Sequence, residues 1–349
     1  MRIICKWHLS LMLRPGSDYR ILLPTIRWNW NNNVKLKLRF MKPYLTSEHI
    51  KHNLANLPRL VFDVLMKYIL GIFCLLYACA LSAQPKNNIV TQPTARIHAK
   101  YAVIDHADLR VSYALNADNL LDISTYVDLQ YLEVGRQTSK YYSALLAASD
   151  SLSVYWVREH PNVDGPPRWT GEKGKSEWWS EYQYTEIFRS GGEQTMYSRM
   201  PFMLERYDCW HTEPYPQQSW QLQSDTLTIC GYLCQKAVCS FRGRDFEAWF
   251  APQIPVREGP WTFGGLPGLI LKVYDKDRLY VFECVGIERG NFPIKKLDYS
   301  KYKPVKRKEL LKMQRKINED YFSFFGGVID DATGKPLRMF KPYEPLELE

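Results

Sequence analysis

The segment 242–270 carries the most distinctive pattern of the sequence and reads RGRDFEAWFAPQIPVREGPWTFGGLPGLI. Its first part alternates between two faces, as the side chains of a β-strand do. The two sets are Arg244, Phe246, Ala248 and Phe250 on one face and Asp245, Glu247 and Trp249 on the other. The alternation predicts a strand over Asp245–Phe250.

The second part of the segment is rich in proline and glycine. Pro252, Pro255 and Pro260 break regular strand pairing. The glycines that follow can take a positive φ or admit a close backbone approach; they are Gly264, Gly265 and Gly268. We therefore predict a proline-rich crossing and a glycine-rich loop that leads into another strand. The loop is not a phosphate-binding P-loop, since no Gly-Lys-Ser/Thr follows it.

Strand-like runs continue outward from this segment in both directions. Turn residues separate the later runs at short intervals, which favours an antiparallel meander. The runs are Ile97–Asp105, Tyr126–Glu133, Tyr182–Arg189, Thr195–Arg199, Phe202–Tyr207, Trp220–Leu222, Thr226–Ile229, Tyr232–Phe241, Leu269–Tyr274 and Leu279–Gly286.

Few segments fit a helix. Residues 305–319 have a broad apolar face and predict a C-terminal helix. Lys140–Ser149 fits a short helix or a loop with a helical turn. Asn162–Lys175 predicts a long surface loop, and His211–Ser219, which contains two prolines, predicts irregular structure. The fold class predicted is mainly β, α+β at most, with one or two helices.

The positive charge of the chain is concentrated at its beginning. The 349 residues hold 46 Lys and Arg and 37 Asp and Glu, a net charge of +9. Residues 1–65 alone hold 11 basic and 3 acidic residues, so the remainder is almost neutral. A nearly neutral remainder argues against a nucleic-acid partner, and its aromatic richness and balanced charge exclude intrinsic disorder.

Residues 66–83 have the layout of a secretory signal peptide. A short basic start is followed by an apolar run of about a dozen residues and a small-residue end. The apolar run is shorter than the ~20 residues that span a bilayer, so no stable transmembrane anchor is expected in the mature chain. Cleavage fits after Ala80 or after Ala83. Acylation of Cys79, as in a lipoprotein, is the alternative.

A signal peptide inside the chain suggests that translation starts at Met66. Residues 1–65 are then a disordered upstream extension that is read from an earlier start codon and is not made in the cell. The rival hypothesis is a basic cytoplasmic tail ahead of a signal anchor. Residues 84–349 form the mature chain, which we predict to be a single β domain located in the periplasm, at the outer membrane or outside the cell.

The mature chain contains five cysteines: Cys209, Cys230, Cys234, Cys239 and Cys284. Export to an oxidising compartment favours disulfides among them. The number is odd, so at least one thiol is free or pairs between molecules. The C-x3-C-x4-C spacing of three of them fits no usual zinc site, and His211 is the sole nearby histidine. We predict one or two disulfides, no metal and no cofactor.

Gly265–Ile270 spells GLPGLI, and the segment resembles the GLPGLI family of exported envelope proteins of Gram-negative bacteria. Further matching elements follow the order of the family from residue 231 to 261. The resemblance implies that several residues are fold determinants of the signature: Gly243, Pro255, Gly259, Pro260, Gly265, Leu266, Pro267 and Gly268. The family offers no established catalytic residues, and the additional cysteines put a family disulfide pattern in doubt.

The resemblance also implies an architecture. Similar domains look like the bowl-shaped β domain at the front of some secreted glycan-releasing amidases, where it assists glycoprotein recognition. We therefore expect a strongly curved antiparallel sheet, bowl-like or half-barrel in shape. A concave sheet offers a face on which a ligand can bind.

The first hypothesis for function is a non-catalytic envelope binding protein for glycan, glycopeptide or an envelope partner protein. Its candidate ligand contacts are Trp249, Trp261, Arg244 and Glu258. The structural alternative is that the two tryptophans are core rings and that Arg244 pairs with an acidic residue.

Two other function classes remain open. A periplasmic chaperone or lipid carrier would use the concave sheet as an apolar trough. A hydrolase would need a catalytic pair, and Asp245 with Glu247 on one strand face is the candidate. The sequence contains no HExxH and no G-x-S-x-G motif.

Overall fold

The computed structural model describes residues 93, 95–163, 165–176, 178–331, 333–339 and 343–348. The predicted upstream extension, the signal peptide, its cleavage sites at Ala80 and Ala83 and the acylation site Cys79 lie outside these residues. Within the described ranges, every helix is too short or too polar to cross a membrane.

The described residues form twelve strands and three α-helices. The strands are β1 (Tyr101–Leu115), β2 (Asp128–Gly135), β3 (Ser139–Ser143), β4 (Thr185–Ser190), β5 (Glu193–Ser198), β6 (Cys209–Pro214), β7 (Gln221–Ile229), β8 (Tyr232–Phe241), β9 (Arg244–Ala251), β10 (Leu269–Asp275), β11 (Val281–Leu297) and β12 (Lys303–Pro304). The helices are α1 (Ala144–Glu159), α2 (Arg307–Glu319) and α3 (Tyr321–Phe325).

All twelve strands belong to one open sheet in the order β12-β6-β5-β4-β3-β2-β1-β11-β10-β9-β8-β7. Neighbouring strands are antiparallel except β12, which runs parallel to β6. The long central strand β1 pairs with β11 on one side and with β2 on the other. The predicted mainly-β, curved fold is confirmed, with two corrections: the sheet is mixed, and there are three helices.

The sheet curls toward the face that carries the core. Cys230, at the tip of the β7–β8 hairpin, places its Sγ 3.2 Å from the carbonyl oxygen of Cys284, although β11 is three strands away from β8. We call this concave, core-bearing side the inner face and the opposite side the outer face. On β1 the inner face carries Leu109, Val111 and Tyr113, all at most 1% exposed.

The proline- and glycine-rich crossing between β9 and β10 fills the inner face. Ile254, Trp261, Phe263 and Leu266 are each at most 4% exposed and join the main core. Aromatic rings from the strands pack against the crossing, with the Phe246 and Phe263 centroids 4.7 Å apart. The concave face is therefore packed with the protein's own residues.

Helix ends follow from local capping. Ser143 caps α1 by accepting a hydrogen bond from the Leu146 amide at 3.0 Å. Asp320 caps α3 in the same way through the Ser323 amide, and Gly326 ends that helix with a φ of 112°. Helix α2 directs Leu310 and Ile317 into the protein interior.

Four local predictions from the sequence need correction. Strand β1 begins and ends later than the predicted run 97–105. Residues 202–207 form turns instead of a strand, because the amides of Leu204 and Tyr207 bond carbonyls three residues back. Residues 209–214 form β6, in which the proline occupies the last position, where a strand tolerates it. The helix predicted from residue 140 starts at residue 144, after β3.

Candidate functional site

The structure separates the four candidate ligand contacts. Arg244 and Trp261 both touch the last described residues of the chain, 343–348, which we call the C-terminal segment. Glu258 lies between the crossing and strands β3 and β4. Trp249 lies on the outer face, opposite Ala248 and Phe250. The four residues therefore do not form one site.

The C-terminal segment lies in a groove that binds its main chain. The guanidinium of Arg244 donates to the Pro345 carbonyl from Nε at 3.0 Å and from Nη2 at 2.6 Å. The Tyr280 hydroxyl donates to the Glu344 carbonyl. The Leu346 amide donates to the Tyr182 hydroxyl at 2.9 Å. Contacts of this kind hold an extended backbone whatever its side chains are.

The Glu347 carboxylate is the most heavily bonded group of the segment. Its Oε2 accepts hydrogen bonds from Arg242 at 2.6 Å and from Arg307 at 2.5 Å. Its Oε1 accepts from the Trp261 indole at 3.0 Å. Burial opposes ionisation, but the two arginines outweigh it and hold the pKa of Glu347 below its usual range. The groove thus contains a built site for one carboxylate.

The neighbouring residue, Leu346, fills an apolar pocket. Its side chain is 2% exposed and belongs to the main core. The side chains around it come from β4, β5, α2 and the crossing; the apolar ones include Met196, Trp261 and Leu310, and the polar ones include Ser198 and Gln314. A buried leucine beside a bound carboxylate gives the groove side-chain selectivity in addition to main-chain binding.

A small cavity of about 20 Å³ remains beside this pocket. His211 lines this cavity and is buried, with 6% of its surface exposed. Neither ring nitrogen has a hydrogen-bond partner in the protein. Burial lowers the pKa of His211, which favours the neutral ring. The volume suffices for one water molecule, which would satisfy the ring.

The outer wall of the groove is basic. A second cavity, of about 250 Å³, lies between α2 and the C-terminal segment. Its lining includes Lys308, Lys312 and Arg315 beside Leu311 and Tyr343. Cationic groups at the rim attract an acidic chain and orient it during approach.

Glu258 has a structural environment. Its Oε2 accepts hydrogen bonds from the Ser139 hydroxyl at 2.6 Å and from Arg189 at 2.7 Å. The same arginine donates to the carbonyls of Gly259 and Trp261. These bonds join the crossing to β3 and β4, so Glu258 positions the loop that carries Trp261.

The outer face holds Trp249 and the predicted carboxylate pair. Glu247 bonds Lys236 at 2.7 Å and the Trp249 indole at 3.1 Å, and it accepts from the Tyr274 hydroxyl. Asp245 accepts from the Ser240 hydroxyl at 2.5 Å. Each carboxylate is occupied by its own neighbours, and this arrangement gives no support to a hydrolytic pair.

The five cysteine sulfurs are free thiols in the structure, so the disulfides remain a prediction. Cys230, Cys234 and Cys284 lie close together, whereas Cys209 and Cys239 are buried elsewhere. Within the described residues, no group of three or more His, Cys, Asp or Glu side chains is arranged to hold a metal ion.

Sequence analysis missed the residues that complete the groove. Arg242 lies in the segment 242–270 and Arg307 in the predicted C-terminal helix, but neither was given a binding role. Tyr182, Tyr280 and Glu347 belong to no motif. Their common feature is contact with a segment that is far away in sequence, which no local pattern reveals.

Asp128 is a buried carboxyl that the sequence also did not reveal. It is 0% exposed and accepts bonds from Ser143 at 2.8 Å and Gln183 at 3.3 Å. Burial outweighs these bonds and raises the pKa of Asp128 to about 8. The side chain therefore stays protonated in the folded protein at neutral pH.

This shift predicts a pH dependence of stability. The unfolded Asp128 ionises near pH 4, so its folded-state proton stabilises the protein fully below that pH and is lost as pH rises toward 8. Asp128→Asn stays neutral throughout. Its free energy of unfolding relative to wild type should therefore rise by about 3–4 kcal/mol between pH 5 and pH 8. Urea denaturation at both pH values tests this, and an unchanged difference contradicts it.

The model of a family described as "Protein of unknown function (Porph_ging)" matches residues 240–272, which contain the segment 242–270. No curated protein matches the chain.

Two solved structures of a protein called PNGF-II, in space groups P21 and C2, are similar to this chain. Each has 15% sequence identity and a TM-score of 0.37, and each match covers 60% of this chain and 33% of the other. The chain thus aligns with about a third of the length of these structures.

Proposed function

We propose that the protein is a non-catalytic, exported binding protein of the cell envelope. Its ligand is an extended acidic segment of an envelope partner protein, and its binding site is the groove that holds the C-terminal segment. The observation that carries this proposal is the occupied groove itself: main-chain contacts, a leucine pocket and a carboxylate site lie in one line.

The contacts of the groove match the chemistry of an extended peptide. Arg244, Tyr280 and Tyr182 bind main-chain atoms, which every peptide offers. Arg242 and Arg307 require a carboxylate at one position. Arginine forks are well suited to carboxylates because they offer several donors in a fixed plane.

The C-terminal segment then competes with the partner for the groove. A tethered segment acts at a high effective concentration, in the millimolar range for short flexible tethers. Wild-type protein should therefore bind a free peptide of the same sequence weakly. A substitution that weakens the binding of the C-terminal segment to the groove should therefore let the free peptide bind more tightly.

Full-length protein and a labelled peptide of residues 341–349 test the proposal. Glu347→Gln removes one anion from the attached segment, so this variant should bind the peptide at least about tenfold more tightly than wild type. Glu344→Gln is the matched control, because it makes the same charge change on a side chain that is 70% exposed. Equal peptide binding by wild type and both variants, measured by fluorescence anisotropy, contradicts the proposal.

A glycan ligand is the second candidate, and one observation favours a place for it. Trp249 and Tyr274 lie on the outer face beside the charged pairs Lys236–Glu247 and Lys272–Glu283. Aromatic rings next to hydrogen-bonding groups suit a sugar. Binding to a glycan array that is lost in folded Trp249→Ala, and kept in Glu347→Gln, would support this surface instead of the groove.

The lipid-carrier hypothesis gains no support from the geometry. Such a carrier needs an apolar trough, and the crossing, α2 and the C-terminal segment fill the inner face instead.

A further inference from the structure

The tip of the β7–β8 hairpin carries an unusual turn residue. Cys230 and Gly231 form a two-residue turn between Ile229 and Tyr232, with φ values of 48° and 81°. Both values are positive, as in a type I′ turn, in which the first position favours Asn, Asp or Gly. A cysteine there is strained, and strain at a single residue often marks a functional position.

The curl of the sheet places this cysteine on another one. The Cys230 thiol donates to the Cys284 carbonyl at 3.2 Å, and the Cys284 thiol donates to the Gly286 carbonyl at 3.5 Å. Cys230 is exposed, whereas Cys284 is 3% exposed on β11. The Cys230 sulfur is therefore accessible to a reagent in solution, whereas the Cys284 sulfur is shielded from it.

The two thiols differ in acidity. The neighbouring Cys284 side chain outweighs burial and lowers the pKa of Cys230 to about 7. The neighbouring Cys230 side chain and burial raise the pKa of Cys284 well above its usual range. An exposed thiolate beside a protected thiol is the arrangement that favours thiol–disulfide exchange.

The other three cysteines among the described residues do not share these properties. Cys234 is 0% exposed, and burial raises its pKa to about 11. Burial also raises the pKa of Cys209 and of Cys239 to about 12. These three cysteines are expected to stay as inert thiols.

We propose that Cys230 and Cys284 form a redox-active dithiol whose substrate is a disulfide, R–S–S–R. The Cys230 thiolate attacks one sulfur, forms a mixed disulfide and releases R–S⁻, which takes up a proton. Cys284 loses its proton and attacks the Cys230 sulfur, which releases the second R–SH. The two protein thiols supply the two electrons, and the products are one Cys230–Cys284 disulfide and two R–SH.

In the oxidised form, the Cys230–Cys284 disulfide would be a covalent cross-link between two parts of the sheet. It links the edge hairpin to β11 near the middle of the sheet, between residues 54 positions apart. The redox state of R–S–S–R would then set how firmly the hairpin is attached.

The test uses the full chain, oxidised glutathione as the small disulfide and a thioredoxin-type disulfide protein as the second source. Mass spectrometry of unreduced peptides should show a Cys230–Cys284 link. Cys284→Ala should instead accumulate a mixed disulfide on Cys230, and Cys234→Ala, the matched control, should form the link as wild type does. Reaction with only one of the two disulfides identifies the source.

Alkylation kinetics give a readout that does not require the link to form. Iodoacetamide should modify Cys230 at pH 7 about tenfold more slowly in Cys284→Ala than in wild type, because the neighbouring thiol that lowers the pKa of Cys230 is removed. A link between Cys230 and Cys234, or no reaction of Cys230 with either disulfide in folded protein, overturns the proposal.

Discussion

Glu347→Ala is expected to lower the free energy of unfolding by about 3–5 kcal/mol. The Glu347 side chain is 9% exposed and bonds Arg242, Arg307 and the Trp261 indole. Alanine leaves two guanidinium groups and an indole N–H without their acceptor inside the groove. Removing one partner of a buried ion pair costs more than the pair itself contributes, because the remaining charge stays desolvated. Guanidinium denaturation of the full chain measures the change.

Glu344→Ala provides the comparison in the same segment. Its carboxylate is 70% exposed and lies 3.5 Å from Arg244. Solvent screens such a pair, so the expected loss is about 0–1 kcal/mol. Equal losses in the two variants would mean that the carboxylate site contributes no more than surface charge.

Gly268→Ala is the second substitution with a large expected effect. A Cβ at residue 268 would lie 2.3 Å from the Ala251 carbonyl oxygen and 2.7 Å from its carbonyl carbon. Both atoms belong to the backbone at the end of β9, which pairs with Leu269 at the start of β10. The strands must separate there, and we expect a loss of about 3 kcal/mol in unfolding free energy.

Gly265→Ala is the matched control, three residues earlier in the same loop. Gly265 has a φ of 82°, and an added Cβ meets only the Gln217 side chain at 3.8 Å. The cost is then that of the left-handed backbone alone, about 1–2 kcal/mol. A smaller loss for Gly268→Ala than for Gly265→Ala would show that the crossing rearranges freely and that the close approach is not a constraint.

These two glycines show how much the sequence could predict. Alternation and turn residues were sufficient to place β8, β9 and β10 within one residue, because hairpins are local. Gly268, for which we predicted a structural role, lies against the Ala251 backbone, and the role itself stays a prediction. The strand-like runs predicted a mainly β fold, and the family resemblance implied that its sheet is strongly curved.

The groove could not be predicted, because it is built from long-range contacts. Arg242 and Glu347 are 105 residues apart, and Arg244 bonds a carbonyl 101 residues away. Arg244 and Trp261 were chosen for their residue types, and the structure gives them a common neighbour that no spacing rule contains. Trp249 was grouped with them although its strand position already placed it on the opposite face from Arg244.

The pairing of β1 with β11 has a consequence for how the protein folds. The strand at the centre of the sheet, residues 101–115, has one of its two neighbours at residues 281–297. During synthesis, β1 lacks that neighbour until residues 281–297 have emerged. Contacts between distant residues make folding slow, because a long loop must close before they form. Until then the apolar side of β1 stays available to chaperones and to other unfinished chains, so concentration and chaperone supply should govern yield more than native stability does.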